Sequence, residues 1–300
     1  MTLRMATPVA AAAVLALVMA GPAAAQMDHS MHAAMERPPA AAGQMADNPK
    51  LPAMEQTARA RLDHSPRHGE WDNVTMADGS VVKTWVSYPE VSTKAPVVIV
   101  IHEIFGLSDW IRSVADQLAA EGFVAVAPDL ISGKGPNGGG SDSVDRDGAV
   151  KLVSALPRDV VNSRLDAVRA WALKLPAADG QVGVVGFCWG GTSSFAYAAH
   201  QPGLGAAVVY YGTSPTEDAQ LEAIKAPVLA FYGGSDARVG ATVPATTDAM
   251  KRLGKWYEPH METGAGHGFL RAQDGMNGAN MRATEQAWPR TIAFFKANLK

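Results

Sequence analysis

Five consecutive β-branched residues, Val97-Val98-Ile99-Val100-Ile101, constrain this chain more than any other stretch. An extended segment points alternate side chains to opposite faces, so a run with no polar position has to be covered on both. Sheets covered on both faces are parallel, with helices as the crossover connections. The remaining pattern from about Glu70 agrees. Val124-Ala125-Val126-Ala127, Val182 to Phe187, Ala206 to Tyr210, Val228 to Tyr232 and Trp256 to Met261 read as further strands. Between them, Trp110 to Ala120 carries Ile111, Val114 and Leu118 as one helical stripe and stops at Gly122. A second helix is expected from about Asp159, with Val161, Leu165, Val168 and Leu175 on one face and Pro176 as terminator, and Thr284 to Leu299 as the closing helix. Upstream, Asp78-Gly79 between two β-rich runs predicts a hairpin. The glycine-rich Gly133 to Gly140 lacks the lysine and the strand–loop–helix context of a phosphate cradle and reads as a mobile connector. No linker interrupts the alternation. The expectation is one α/β domain over residues 70–300, a mainly parallel, doubly wound sheet with helices on both faces.

Residues 1–25 do not belong to that pattern. Arg4, an apolar run from Val9 to Ala20, and Ala23-Ala24-Ala25 before Gln26 make a secretory signal peptide, with cleavage expected after Ala25. The apolar run is too short to span a bilayer, and no later stretch reaches 18 apolar residues. The mature protein is therefore expected in the periplasm or outside the cell, without a membrane partner and as a monomer. Residues 26–69 are rich in Ala, Met and Pro and read as a flexible segment. Met27, His29, Met31, His32 and Met35 within it are soft and imidazole ligands that would suit copper, which leaves a copper-binding or stress-response function as an alternative. His64 and His68 are separated by Pro66 and are not read as a metal site. A net charge of −3 over 300 residues gives no basic face for nucleic acid.

The chain has one cysteine, Cys188. That excludes an intrachain disulfide and multi-cysteine metal sites, and leaves core filler, intermolecular partner or reactive thiol. Gly186-Phe187-Cys188-Trp189-Gly190 lies between a buried strand and a helix and has the form of a nucleophile elbow. The helix behind it aims its N-terminal dipole at the sulfur, which favours thiolate. An elbow needs an acid and then a histidine later in the chain. Asp236, in Gly233-Gly234-Ser235-Asp236 after a strand, and His267, in a glycine-rich loop after the next, stand in that order. His260 is the competing base, but it falls inside a strand pattern beside Pro259.

Cys188, Asp236 and His267, at intervals of 48 and 31 residues, together with His102-Glu103-Ile104-Phe105-Gly106 after an early strand, resemble the dienelactone hydrolase family of α/β-hydrolases. The resemblance runs from about Asp72 to the last helix. It implies an α/β-hydrolase fold and a cofactor-free, metal-free hydrolase of a small ester or lactone, acting through a thioester. It implies Cys188 as nucleophile, His267 as base and acid, Asp236 as the group orienting the imidazole, and Glu103 near the thiol, governing its protonation. The backbone N–H groups of Ile104 and Trp189 would form the oxyanion hole, and Arg146 and Arg271 would hold a substrate carboxylate. His102 stands where the family usually has Gln, and Val150 and Val153 stand where aromatic pocket residues are usual. A general carboxylesterase that needs no substrate carboxylate is therefore kept as a second enzymatic reading.

Overall fold

The computed structural model describes Thr2 and residues 48–300. But for Thr2, the expected signal peptide, its cleavage point and the Met/His cluster lie outside the described residues. In chain order the elements are α1 (Ala58–Asp63), β1 (Gly69–Thr75), β2 (Val81–Ser87), β3 (Ala95–Ile101), α2 (Asp109–Ala120), β4 (Val124–Pro128), α3 (Arg146–Ser154), α4 (Arg158–Ala172), β5 (Ala178–Phe187), α5 (Trp189–His200), β6 (Ala206–Tyr210), α6 (Asp218–Ala223), β7 (Val228–Gly233), α7 (Ala237–Gly240), α8 (Val243–Arg252), β8 (Tyr257–Glu262) and α9 (Ala279–Asn298).

The eight strands form one sheet in the order β1-β2-β4-β3-β5-β6-β7-β8. Strand β2 pairs antiparallel with both β1 and β4, and every other pair is parallel. Burial follows position. Strands β4, β6 and β7 are buried at every residue, and β3 at all but one, whereas the outer strands β1 and β8 are largely open to solvent. Pro259 is tolerated because β8 is an edge strand. The helices cover both faces. On one, α2 meets α9 through Phe123–Phe295 ring packing at 5.8 Å and a Lys296–Glu121 ion pair. On the other, α4 meets α5 where Tyr197 and His200 bond Asp166. After β3 the chain steps toward β4, then returns past β3 to β5 and continues the other way. The carboxyl ends of β3 and β5 thus form the switch point at which sheets of this kind build their sites.

Two expectations need correction. The sequence predicts a flexible segment up to residue 69, but from Leu51 the chain packs against the domain: Leu51, Ala53, Met54 and Ala58 are all at most 4% exposed. Four consecutive buried residues, Leu51 to Met54, are too short a stretch to give a periodic signal. The glycine-rich connector is also tied down at its end. Ser141 donates from its N–H and its Oγ to the two carboxylate oxygens of buried Asp129, both at 2.7 Å, and accepts the Leu107 N–H at 2.8 Å. Helix α3, just beyond it, has no counterpart in the sequence reading; Asp145 caps it by accepting the Gly148 N–H.

Candidate active site

Strand β5 ends at Phe187 and α5 begins at Trp189, so Cys188 alone turns the chain. Its backbone lies at φ +56°, ψ −118°, a conformation that costs a residue with a side chain on the order of 1–3 kcal/mol. The turn closes only because its neighbours lack Cβ atoms. A Cβ on Gly186 would stand 1.9 Å from the Gly190 carbonyl oxygen, and one on Gly190 would stand 2.3 and 2.4 Å from the carbonyls of His102 and Ile101. The second pair of distances also shows that the end of β3 lies directly against the elbow. The Cys188 N–H donates to the Tyr210 carbonyl, which fixes the turn to β6. Cys188 is 7% exposed and heads a 12-residue helix whose first N–H groups have no acceptor within it.

Asp236 and His267 come from the loops that follow β7 and β8. The loops are laced together: Gly234 N–H donates to the Glu262 carbonyl and Ser235 N–H to that of Ala265. Asp236 accepts the Val239 N–H and so caps α7 with one oxygen, while its other oxygen lies 2.6 Å from His267 Nδ1. Burial would raise the Asp236 carboxyl, but the hydrogen bond and charge of His267 hold it below its usual value. Burial would likewise lower the His267 imidazole. The Cys188 sulfur first, and then Asp236, outweigh this and raise it to about 9. With Nδ1 committed to Asp236, the buried Nε2 has no oxygen or nitrogen partner and is left to the sulfur. The ring is held by Tyr211 at 5.1 Å between centroids; Tyr211 is a buried residue at φ +41° just past β6 that nothing in the sequence singled out. The structure does not bring His260 to this group: it bonds Glu258 and Arg290 and stacks on Phe231.

The loop after β3 supplies the other wall. His102 is fully buried and stacks on Trp189 at 5.5 Å. Its Nε2 accepts the Leu130 N–H, so Nδ1 carries the proton and donates to the Glu103 carbonyl, and burial lowers its pKa, keeping it neutral. Glu103 is 2% exposed and meets Arg271 Nε at 2.8 Å; burial raises its carboxyl, Arg271 opposes that, and Glu55 adds to it. Ile104 is buried beside it, and Trp189 is the first residue of α5.

Arg146 and Arg271, 125 residues apart in sequence, are brought to the same place. Their guanidinium carbons lie 3.5 and 5.4 Å from the centroid of Phe105. Between them is a carboxylate that no sequence motif marks. Glu55, from the segment read as a tether, bonds Arg146 Nη1 through Oε1 at 3.1 Å and Arg271 Nη1 through Oε2. Burial would raise the Glu55 carboxyl, but the two arginines hold it below its usual value.

A buried thiol on an elbow, an imidazole turned toward it, a carboxylate behind the imidazole and free helix N–H groups above can attack a carbonyl and stabilise the resulting charge. Comparison with known proteins gives the family. The profile of the dienelactone hydrolase family matches residues 82–299. A Salmonella typhimurium protein named "Putative carboxymethylenebutenolidase" is 33% identical over 232 residues, covering 73% of this chain and 84% of its own. The crystal structure titled "Putative Dienelactone Hydrolase" from Klebsiella pneumoniae superposes with a TM-score of 0.67 at 29% identity, over 77% of this chain and 98% of that one. A dienelactone hydrolase-like promiscuous phosphotriesterase from metagenomic libraries gives 0.65 at 25% identity, over 78% and 99%. The fold and the paired site define an α/β-hydrolase. Within that class, the chain belongs to the dienelactone hydrolase family, whose members hydrolyse lactones or esters.

Proposed function

We propose that this chain is a cysteine hydrolase of small esters or lactones, with Cys188, His267 and Asp236 as its triad. The observation that carries the reading is the pairing of a strained, buried Cys188 with an imidazole whose other nitrogen is committed to Asp236. Cys188 passes its proton to His267, its sulfur attacks the carbonyl carbon to form a carbon–sulfur bond, and the negative oxygen is received by the N–H groups of Ile104 and Trp189. The carbon–oxygen ester bond then breaks as His267 gives its proton to the departing alcohol, leaving a thioester on Cys188. Water loses a proton to His267, attacks the thioester and releases the acid, and the proton returns to sulfur. Glu103 acts on the protonation of this group: its charge reaches His267, and its own proton affinity is set by burial and Arg271.

Replacement of Cys188 by Ala should abolish hydrolysis of p-nitrophenyl butyrate while the circular dichroism spectrum is retained. Quenching wild type during turnover should add one butyryl group to the peptide that contains Cys188. Undiminished turnover in Cys188→Ala would overturn the reading. Export is part of the same proposal, supported by the residues of the first 25 positions; the mass of the protein recovered from its native host should begin at Gln26.

A further inference from the structure

We infer that Glu55 sets the substrate class of this site: it supplies the arginine pair with a carboxylate from within the chain, so that the site takes esters and lactones with uncharged acyl groups. The inference rests on the hydrolase reading for the reaction and on the geometry around Phe105 for the selectivity.

The two guanidinium groups are the cations beside Phe105, and each already has a carboxylate. Arg146 holds Glu55, while Arg271 holds Glu55 with Nη1 and Glu103 with Nε. Two positive and two negative side chains leave no net charge for an anionic substrate to neutralise. A third carboxylate would have to enter beside two others or displace one of them. Glu103 is buried and Glu55 is tethered, so displacement means competing with a group held at high effective concentration.

The segment that bears Glu55 is built in rather than laid over the opening. The Glu55 N–H donates to the Arg271 carbonyl at 3.1 Å. On its N-terminal side, Trp110 Nε1 donates to the Ala53 carbonyl at 2.9 Å and the buried Gln273 side chain donates to the Pro52 carbonyl at 2.7 Å. Arg61, one turn into α1, donates to the Leu51 carbonyl at 2.7 Å. Ala53 and Met54 are buried on either side of these bonds. A strap with buried apolar residues and bonds to three separate elements is a fixed wall of the site. It holds the Glu55 backbone beside the arginines, with the carboxylate bonded to both.

The test compares p-nitrophenyl butyrate with the mono-p-nitrophenyl ester of succinic acid, which has the same acyl length but ends in a carboxylate. Wild type should prefer the butyrate. Glu55→Gln, which keeps the shape and removes the charge, should shift the ratio of kcat/KM toward the succinate ester by about tenfold or more, the scale of one hydrogen bond to a charged group. Adding Arg146→Gln to Glu55→Gln should cancel most of the shift. Equal effects of Glu55→Gln on both esters, or none in a protein with unchanged Tm, would overturn the inference; an equal gain on both would mean that the strap only obstructs the site. If Glu55→Gln unfolds, Glu55→Ala is measured in its place. If neither ester is turned over by wild type, the hydrolase reading is what fails. Calorimetric binding of succinate then still decides the role of Glu55: tighter binding in Glu55→Gln than in wild type supports it, and equal binding overturns it.

Discussion

Asp236 Oδ2 and His267 Nδ1 lie 2.6 Å apart with both side chains largely buried, so the imidazole can offer only Nε2 to Cys188. This contact is what turns a glycine-flanked cysteine into a candidate nucleophile with a defined base. The imidazole is raised from 6.5 to about 9, with Cys188 the larger upward influence and Asp236 the next. Cys188→Ala should therefore lower the His267 pKa more than Asp236→Asn does, as read by NMR titration of the ring. A group raised in the folded state stabilises fully below its unfolded value and loses that contribution as pH rises through its folded value. The His267 contribution is present below about 6.5 and disappears toward pH 9. Asp236→Asn should also reduce kcat/KM by on the order of a thousandfold, because the wrong tautomer is then favoured. A reversed order of the two pKa changes would contradict the arrangement.

Glu103 gives a prediction of the opposite character, in which function is kept at a cost to stability. Its carboxyl is raised above 4.5, first by burial and then by Glu55, against the pull of Arg271. A carboxyl raised in this way binds more protons folded than unfolded, so wild-type stability falls as pH climbs above about 4.5. Glu103→Gln carries no such dependence, and Glu55 remains to pair Arg271. The difference in Tm between variant and wild type should move in favour of Gln as pH is raised from 4.5 to 8, while kcat falls. A difference that moves the other way would mean that the Arg271 pair outweighs burial.

The elements that were legible in the sequence are those buried on every side. Val97 to Ile101 and Ala206 to Tyr210 lie in the sheet interior, where both faces are covered and every position must be apolar. The elbow was legible because a cysteine turned to φ +56° requires glycines at fixed offsets, which leave a visible motif. The pairing of Asp236 with His267 could be anticipated because each follows a strand that reaches the same sheet edge. Glu55 and Tyr211 were not. Glu55 acts through a strap whose packing uses a few small residues and carbonyl groups, and carbonyls carry no sequence signal. Tyr211 belongs to no sequence motif, and its backbone conformation just past β6 is what distinguishes it. Helix α3 begins at Arg146 with a capping Asp145, and its apolar face is only Ala149 and Val153, too narrow to stand out beside the glycine loop.

The strap should contribute measurably to stability through Trp110. Its Nε1–H is the donor for the Ala53 carbonyl, and both residues are at most 1% exposed. Trp110→Phe keeps an aromatic ring against Phe187 but leaves that carbonyl buried without its donor. The expected cost is about 1–3 kcal/mol in urea unfolding. Amide exchange should also rise at Glu55, whose N–H bond to Arg271 depends on the same stretch of chain. Exchange at Glu55 that does not change would mean that residues 52–55 are held independently of α2.

Gly186→Ala tests the elbow without touching any reacting group. The added Cβ would stand 1.9 Å from the Gly190 carbonyl oxygen and 3.0 Å from the Gly191 nitrogen, both backbone atoms that no rotamer change can move. Either β5 or the first turn of α5 has to shift, and both carry Cys188. Overpacking of this kind costs about 1–3 kcal/mol, so the domain should still fold at 25 °C with a lowered Tm. The same shift carries the sulfur away from His267, which no longer raises the imidazole as far. Ester turnover should therefore fall far more than stability does, and the ring titration of His267 should move below about 9. A variant that loses Tm but keeps both kcat and the His267 titration would show that Cys188 reaches its working position without the tight turn.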